Sequence, residues 1–237
     1  MKYRFEDKEF GTIIITVRQG MRNFVAKWKA DTLMLSLPPG ITTDRLREAL
    51  DRMRPQLRQM RQRQTSPTYH FGQVIECFRC RVEIAPQSKN PKNLYAGRKD
   101  DGTLLLKVPA EWDLNDIPKA KNISMGLQWR VGMVAEQILL PFAGEVAREL
   151  GVVVNSFSVG RGLRELGHCT GNNDIQLSRN LMFFDEPLVR FVVCHELAHI
   201  THKNHSRAFH DLVNRYTNGQ EAALIARMKA FNWPIYR

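Results

Sequence analysis

The stretch VVCHELAHITHKNHSRAF, Val192–Phe209, gathers four histidines, a glutamate and a cysteine. His195 and His199 are four apart, so on a helix they project from one face about one turn apart and can share one metal ion. Glu196 lies beside them and can reach a metal-bound water rather than the metal, as H-E-x-x-H zinc hydrolases require. The surrounding LVRFVVCHELAHI is apolar. Burying two histidines and a glutamate there costs free energy unless something compensates, and a metal ion does so economically.

A catalytic zinc usually takes three protein ligands and leaves its fourth position to water. The candidates for the third are His202, His205 and His210. His202 sits about 10 Å along the axis from His195, at about 1.5 Å per residue, which one zinc ion does not span. His205 reaches the pair only if the helix ends before it. Asn204 is a favoured left-handed terminator and Ser206 a good N-cap, so KNHS predicts a turn that swings His205 back. The resulting H-E-x-x-H-x-x-x-x-x-H shares the ligand spacing of metzincins. Those carry Gly where this chain has His202 and need a Met-turn, whereas Met228 falls in a helical pattern.

Several elements must position these groups. The first 37 residues alternate apolar and polar positions between Gly and Pro-Pro-Gly punctuation, predicting a three- or four-strand meander. A helix follows from Thr43 or Asp44 to about Gln64, with Pro55 expected to kink or restart it. It carries Arg45, Arg47, Arg52, Arg54, Arg58, Arg61 and Arg63, which can grip phosphates or form a solvated face. YHFGQVIECFRCRVEIA predicts a strand pair or one bent strand, residues 89–93 a loop, and Asp101-Gly102 a hairpin turn. A helical stripe covers 117–150, expected as one helix kinked at Pro141. VVVNSFSVG predicts a buried strand and HCTGNNDIQLS a hairpin, before the HExxH helix opens near Pro187 or Leu188. Helices at about 206–216 and 220–231 close the chain. The predicted class is α+β: residues 1–110 a mainly β lobe with the Arg-rich helix, residues 111–237 a core holding the HExxH helix and a small antiparallel sheet.

The run GHCTGNNDIQLSRNLMFFDEPLVRFVVCHELAHITHKNHSRAFHDLV resembles the YgjP-like metallopeptidase family, related to SprT-like zincins. That family shows Trp-Gly-Ser-Cys, a hairpin ending in an I-x-L-N-like strand, then VVxHELxHxxxxNHSxxFW. Here these read Leu166-Gly167-His168-Cys169, Ile175-Gln176-Leu177-Ser178, and Phe209 followed by His210 rather than Trp. The resemblance implies a zincin-like core, His195, His199 and His205 as Zn²⁺ ligands, and Glu196 as general base. It also implies an edge strand beside the helix where a peptide adds as an extra strand. Residues 172–178 are the expected edge, with His168, Asn173 and Ile175 as substrate-contacting candidates.

The chain has 35 Lys and Arg against 24 Asp and Glu, a formal charge of +11. Such a surface also suits a nucleotide or nucleic acid. The alternatives are therefore a phosphoester hydrolase of pyrophosphatase type and a nucleic-acid-associated zincin, although no P-loop is present. A peptide or protein substrate is the leading expectation. No apolar run has the length of a membrane span and the N-terminus lacks an h-region, so a cytoplasmic protein with reduced thiols is expected. Cys77-Phe78-Arg79-Cys80 is a lone C-x-x-C, expected as core or partly exposed thiols, and Cys194 as packing.

Overall fold

Alternating apolar residues build the first sheet in the computed structural model, which describes residues 2–29, 32–63, 67–88 and 92–236. Strands β1 (Lys2–Asp7), β2 (Gly11–Val17), β3 (Val25–Lys29) and β4 (Thr32–Leu37) lie in the order β1-β2-β4-β3. Ile13, Ile15, Leu33, Leu35 and Leu37 point into a core closed by Leu46, Leu50 and Leu57 of α1 (Thr43–Arg63). The expected meander is corrected here: β2 and β4 pair in parallel, and β3 lies outside them. The two most apolar strands thereby become the central ones, while β3, with Val25 and Lys27, takes the edge. Pro55 does not restart α1, which is one helix across it. The predicted end at Gln64 and the side chains of Arg61 and Arg63 lie outside the described residues.

Arg54 and Arg58 of this helix hydrogen-bond to carboxylates, and Arg47 stands 3.6 Å from Asp44. The Arg54 guanidinium meets Asp7 at 2.9 and 3.0 Å, Glu9 at 3.2 Å and Asp51 at 2.7 Å. Arg58 donates to Glu9 at 2.5 and 3.1 Å. The hydrogen bonds from Arg54 hold the Asp7 carboxyl down at about 2.

By its own contacts the chain divides into residues 1–66 and 67–237, so the boundary expected after residue 110 falls inside the second unit. There β5 (Val74–Cys77), β6 (Cys80–Gln87), β7 (Tyr95–Arg98) and β8 (Leu104–Pro109) form a sheet of order β5-β6-β8-β7. Its pairing is antiparallel, parallel, antiparallel, the same pattern as the first sheet. Of the expected loop 89–93, residues 89–91 lie outside the described residues.

The single long helix expected over 117–150 is two, α2 (Ile117–Gly132) and α3 (Ala135–Glu149). Pro141 lies within α3, and the break falls at Met133–Val134. Gly132, the last residue of α2, lies against the Arg179 side chain, where a Cβ would come within 2.9 Å of its Cδ. The break lets α2 bury Ile123, Leu127 and Val131 and α3 bury Leu139, Phe142 and Val146 in one core.

Strands β9 (Ser156–Gly160), β10 (Gly167–Cys169) and β11 (Asp174–Ser178) make a small sheet of order β10-β11-β9. The β10–β11 hairpin is as expected, but β11 and β9 pair in parallel, so the sheet is mixed rather than antiparallel. β9 is a half-exposed edge and not a buried strand, and Val153 before it is 85% exposed. A 3-10 turn (Arg179–Phe183) then leads into α4 (Glu186–Thr201), α5 (Arg207–Tyr216) and α6 (Glu221–Ala230). The class is α+β, as the patterning predicts. No described helix is long and apolar enough to cross a membrane.

The Arg54 cluster generates a test. Arg54→Gln is expected to destabilise residues 1–66 by about 1–2 kcal/mol, since hydrogen bonds to charge are strong but the cluster is partly solvated. Asp7 ionises more readily folded than unfolded, so its contribution is present above about pH 4 and lost as pH falls towards about 2. Chemical denaturation from pH 6 to pH 2 should show that acid loss in the wild type and a weaker one in the variant.

Candidate metal centre

The HExxH segment lies on α4, which Asp185 caps by accepting the Leu188 N–H, with Pro187 in the first turn. Leu188, Val189, Val192, Val193, Cys194 and Leu197 bury the helix among its neighbours. His195 and His199 are half-buried along the remaining face. The helix stops at Thr201 because His202 turns to extended backbone while its N–H still bonds Ala198 at 2.9 Å. The stop therefore comes earlier than the expected one at Asn204, which is not among the described left-handed residues. Ser206 then caps α5 by accepting the Phe209 N–H, as predicted.

This turn brings His205 over the helix. One nitrogen from each of His195, His199 and His205 lies within 4.8 Å of the other two. The Nε2 atoms of His195 and His205 are 3.1 Å apart. Three nitrogens bound to one tetrahedral zinc at about 2.0–2.1 Å would stand roughly 3.3 Å apart, so the donor set fits such an ion. His199 Nδ1 lies 3.0 Å from the His202 carbonyl. A carbonyl only accepts, so Nδ1 carries the proton and Nε2 keeps its lone pair for a metal. Burial first, and then the neighbouring histidines, push His195 down to about 4, leaving the ring neutral as a ligand must be.

The Phe209 ring, fully buried, is the floor of the cluster. Its centroid is 4.9 Å from His195, 4.8 Å from His205 and 4.4 Å from His199, on which it stacks. Glu196 is 5% exposed on the β10 side of α4, and no described residue donates a hydrogen bond to its carboxylate. Burial pushes its carboxyl up to about 7. Gly167 of β10 makes room for it: a Cβ there would meet the Glu196 Cγ and Oε1 at 2.5 Å.

The model of the YgjP-like metallopeptidase domain matches residues 22–224. The chain belongs to this family. No curated protein matches it. Among solved structures it is similar to the metallopeptidase zymogen of Methanocaldococcus jannaschii jannalysin, at 18% identity and a TM-score of 0.34 over 39% of this chain and 94% of that one. A likeness that low carries no argument. Membership of the YgjP-like family implies a divalent metal and a peptidase activity.

In this YgjP-like chain the other expected site residues separate. His202 and His210 stand outside the trio. His210, which replaces the family's Trp, faces Glu221 with Nδ1 2.7 Å from the carboxylate. His168 is exposed on β10 and close enough to His199 to act on its charge. The expected edge at 172–178 is corrected: β11 is the central strand, paired on both sides, and the edges are β10 and β9. Ile175 is 1% exposed in the core and presents no side chain to a substrate. Asn173, left-handed in the hairpin turn, accepts from Lys203 Nζ at 2.8 Å. Lys203 also donates to the Thr170 carbonyl at 3.1 Å, tying the hairpin turn to the loop that carries His205. Sequence patterning singled out neither Phe209 nor Lys203. For Phe209 two signals were present, its match to the Phe of the NHSxxFW element and its place three residues after a capping serine.

Phe209→Ala is expected to lower stability by about 3–5 kcal/mol through the cavity it leaves. Phe209→Leu keeps most of the apolar volume but removes the stacking surface, and should weaken divalent-ion affinity by about tenfold in competition with a chromogenic chelator. Unchanged affinity in a folded Leu variant would mean that the ring does not position the histidines.

Proposed function

We propose that this chain is a zinc-dependent peptidase in which His195, His199 and His205 hold the ion and Glu196 is the general base. The observation that carries the proposal is the convergence of three histidine nitrogens with the His199 tautomer set by the His202 carbonyl. A bound Zn²⁺ would supply Lewis acidity, acidifying a water and polarising the scissile carbonyl. Glu196 sits one residue from His195, in a dry setting with no competing donor, and there it can take a proton from water and return it to the leaving amine. Gly167 holds that carboxylate in place by leaving it space.

β10 packs on α4 and is an edge of its sheet, so its outer side is where an extended peptide would add as a further strand. His168, exposed in the middle of that strand, would then stand beside the bound chain. The phosphoester and nucleic-acid alternatives draw on net charge, and two of the arginines that suggested them are committed to carboxylates. Four cysteines are too few for a disulfide framework, which supports a reducing, cytoplasmic setting.

Glu196→Gln should keep its zinc and lose peptidase activity by about 100- to 10,000-fold. His205→Ala should lose the zinc itself, and Gly167→Ala should keep zinc but lose activity as the added methyl displaces Glu196. Metal analysis of each purified variant beside cleavage of a peptide library separates these outcomes. A wild type that binds no zinc, or a Glu196→Gln variant as active as wild type, would sink the proposal.

A further inference from the structure

The C-x-x-C that the metal centre does not use sits at the tip of a hairpin. Cys77 ends β5, Cys80 begins β6, and the two are directly opposed in the ladder with only Phe78 and Arg79 between them. Opposed residues of an antiparallel pair have Cα atoms about 4.5 or 5.5 Å apart. Both spacings fall within the roughly 4.4–6.8 Å that a disulfide bridges. Both residues are half-buried, so solutes have some access, and both are free thiols.

A buried cation lies close by. Arg130 of α2 is 5% exposed and donates to the carbonyls of Leu105 at 3.2 Å and Gly97 at 2.8 Å. Among the described residues no carboxylate pairs with it. Arg98 of β7 adds a second positive charge that acts on the Cys80 sulfur, against Glu76 as the opposing one. A guanidinium buried without a carboxylate favours whatever anion its surroundings can form, and the sulfur of Cys80 is one that can form there.

We infer that Cys77 and Cys80 are a reversible dithiol–disulfide pair that reacts with small-molecule disulfides, Cys80 attacking and Cys77 resolving. The Cys80 thiolate attacks one sulfur of the small disulfide, whose S–S bond breaks and whose other half leaves as a thiolate. Cys77 passes its proton to that leaving thiolate and attacks the Cys80 sulfur, expelling the second half. The protein dithiol is oxidised and one disulfide is reduced to two thiols. The direction of attack agrees with the local electrostatics. The Cys77 S–H, then Arg130 and Arg98, hold the Cys80 thiol below its ordinary range, while the bond it gives to Cys80 and burial raise Cys77. The Cys77 Sγ also lies 3.6 Å from the Ile75 carbonyl, which competes with Cys80 for the same single S–H. Burial pushes Cys194 up to about 11 and raises Cys169, so neither competes.

The disulfide would close a loop of two intervening residues whose register the ladder already sets, so it adds little constraint. That suits a reversible chemical site better than a staple. The turn is nevertheless well anchored. The Phe78 N–H bonds the Met182 carbonyl at 2.7 Å, and Arg79 lies 3.5 Å from Glu186, the first residue of α4.

The test equilibrates the full chain in buffers of oxidised and reduced glutathione, quenches with acid, alkylates free thiols and maps peptides by mass. The expected result is a Cys77–Cys80 linkage that reverses in excess reduced glutathione, with Cys194 still a thiol. Under limiting alkylating reagent at neutral pH, Cys80 should react about tenfold faster than Cys169, and Arg98→Gln should reduce that lead. Cys77→Ser should stop at a glutathione adduct on Cys80, and Cys80→Ser should leave Cys77 unmodified. The inference is overturned if the wild type forms no such linkage, or if Cys169 reacts first. It is equally overturned if Cys77 is modified as fast without Cys80 as with it. The wild-type measurements decide the matter even where a serine variant does not fold.

Discussion

The centre depends on where α4 stops. If the helix ran one more turn, His205 would point away along the axis and His199 would have no carbonyl beside Nδ1. Because the backbone turns extended at His202, the His202 carbonyl swings back to accept from His199 and the next three residues return His205 to the same face. One backbone change thus supplies a third nitrogen and sets the tautomer of the second. Ser206 fixes the far side of the turn by capping α5, and α5 delivers Phe209 beneath all three rings. The placement of the three histidines is consequently a property of a helix–turn–helix unit rather than of a flexible loop, the kind of support a precise site needs.

Burial around this unit is asymmetric in a way that suits its chemistry. The α4 flank that carries Glu196 is closed by β10 and is dry enough to raise the carboxyl, whereas His205 is exposed. A cation on the three rings would draw the Glu196 proton off again, since positive charge favours the ionised form. The raised value therefore describes the protein's own contribution, a carboxylate kept from water and left without donors. Gly167 is the steric side of the same arrangement, because any side chain there would occupy the carboxylate's place.

Much of this was legible in the residues. The helix, the i, i+4 histidine pair, the capping serine and the β10–β11 hairpin each follow from local rules whose signals lie within a few positions. His205 was legible because a cap signal stood directly after it. What local rules did not carry was set by tertiary partners. The break falls at Met133–Val134, where no local breaker stands, and Pro141, the obvious local breaker, sits inside a helix instead. The edge strand was misassigned because alternation describes which side chains are buried but not which strand pairs on two sides. β11 returned to lie in parallel beside the earlier β9, and that left β10 open. The crossovers in both four-stranded sheets escaped for the same reason, since consecutive strands ordinarily pair, whereas β2 and β3, and β6 and β7, do not.

The departures from the family's motif can be argued from their neighbours. His168 stands where the family has Ser and is exposed on the open strand, so the change alters what a bound chain would meet rather than how α4 packs. His210 stands where the family has Trp, and an exchange of that size would leave a gap if the position were a core one. It is not: His210 is exposed, and its ring is tied by Nδ1 to Glu221, the first residue of α6. A hydrogen bond between two helices thus stands where a large apolar surface would otherwise rest. Because Nδ1 faces an acceptor, the proton sits there and the outer Nε2 is left as the free polar atom. Both exchanges put an imidazole near the metal centre while leaving the trio, its Phe209 floor and the Glu196–Gly167 fit untouched. Variation of this kind changes the surroundings of the reaction without disturbing the groups that would carry it out.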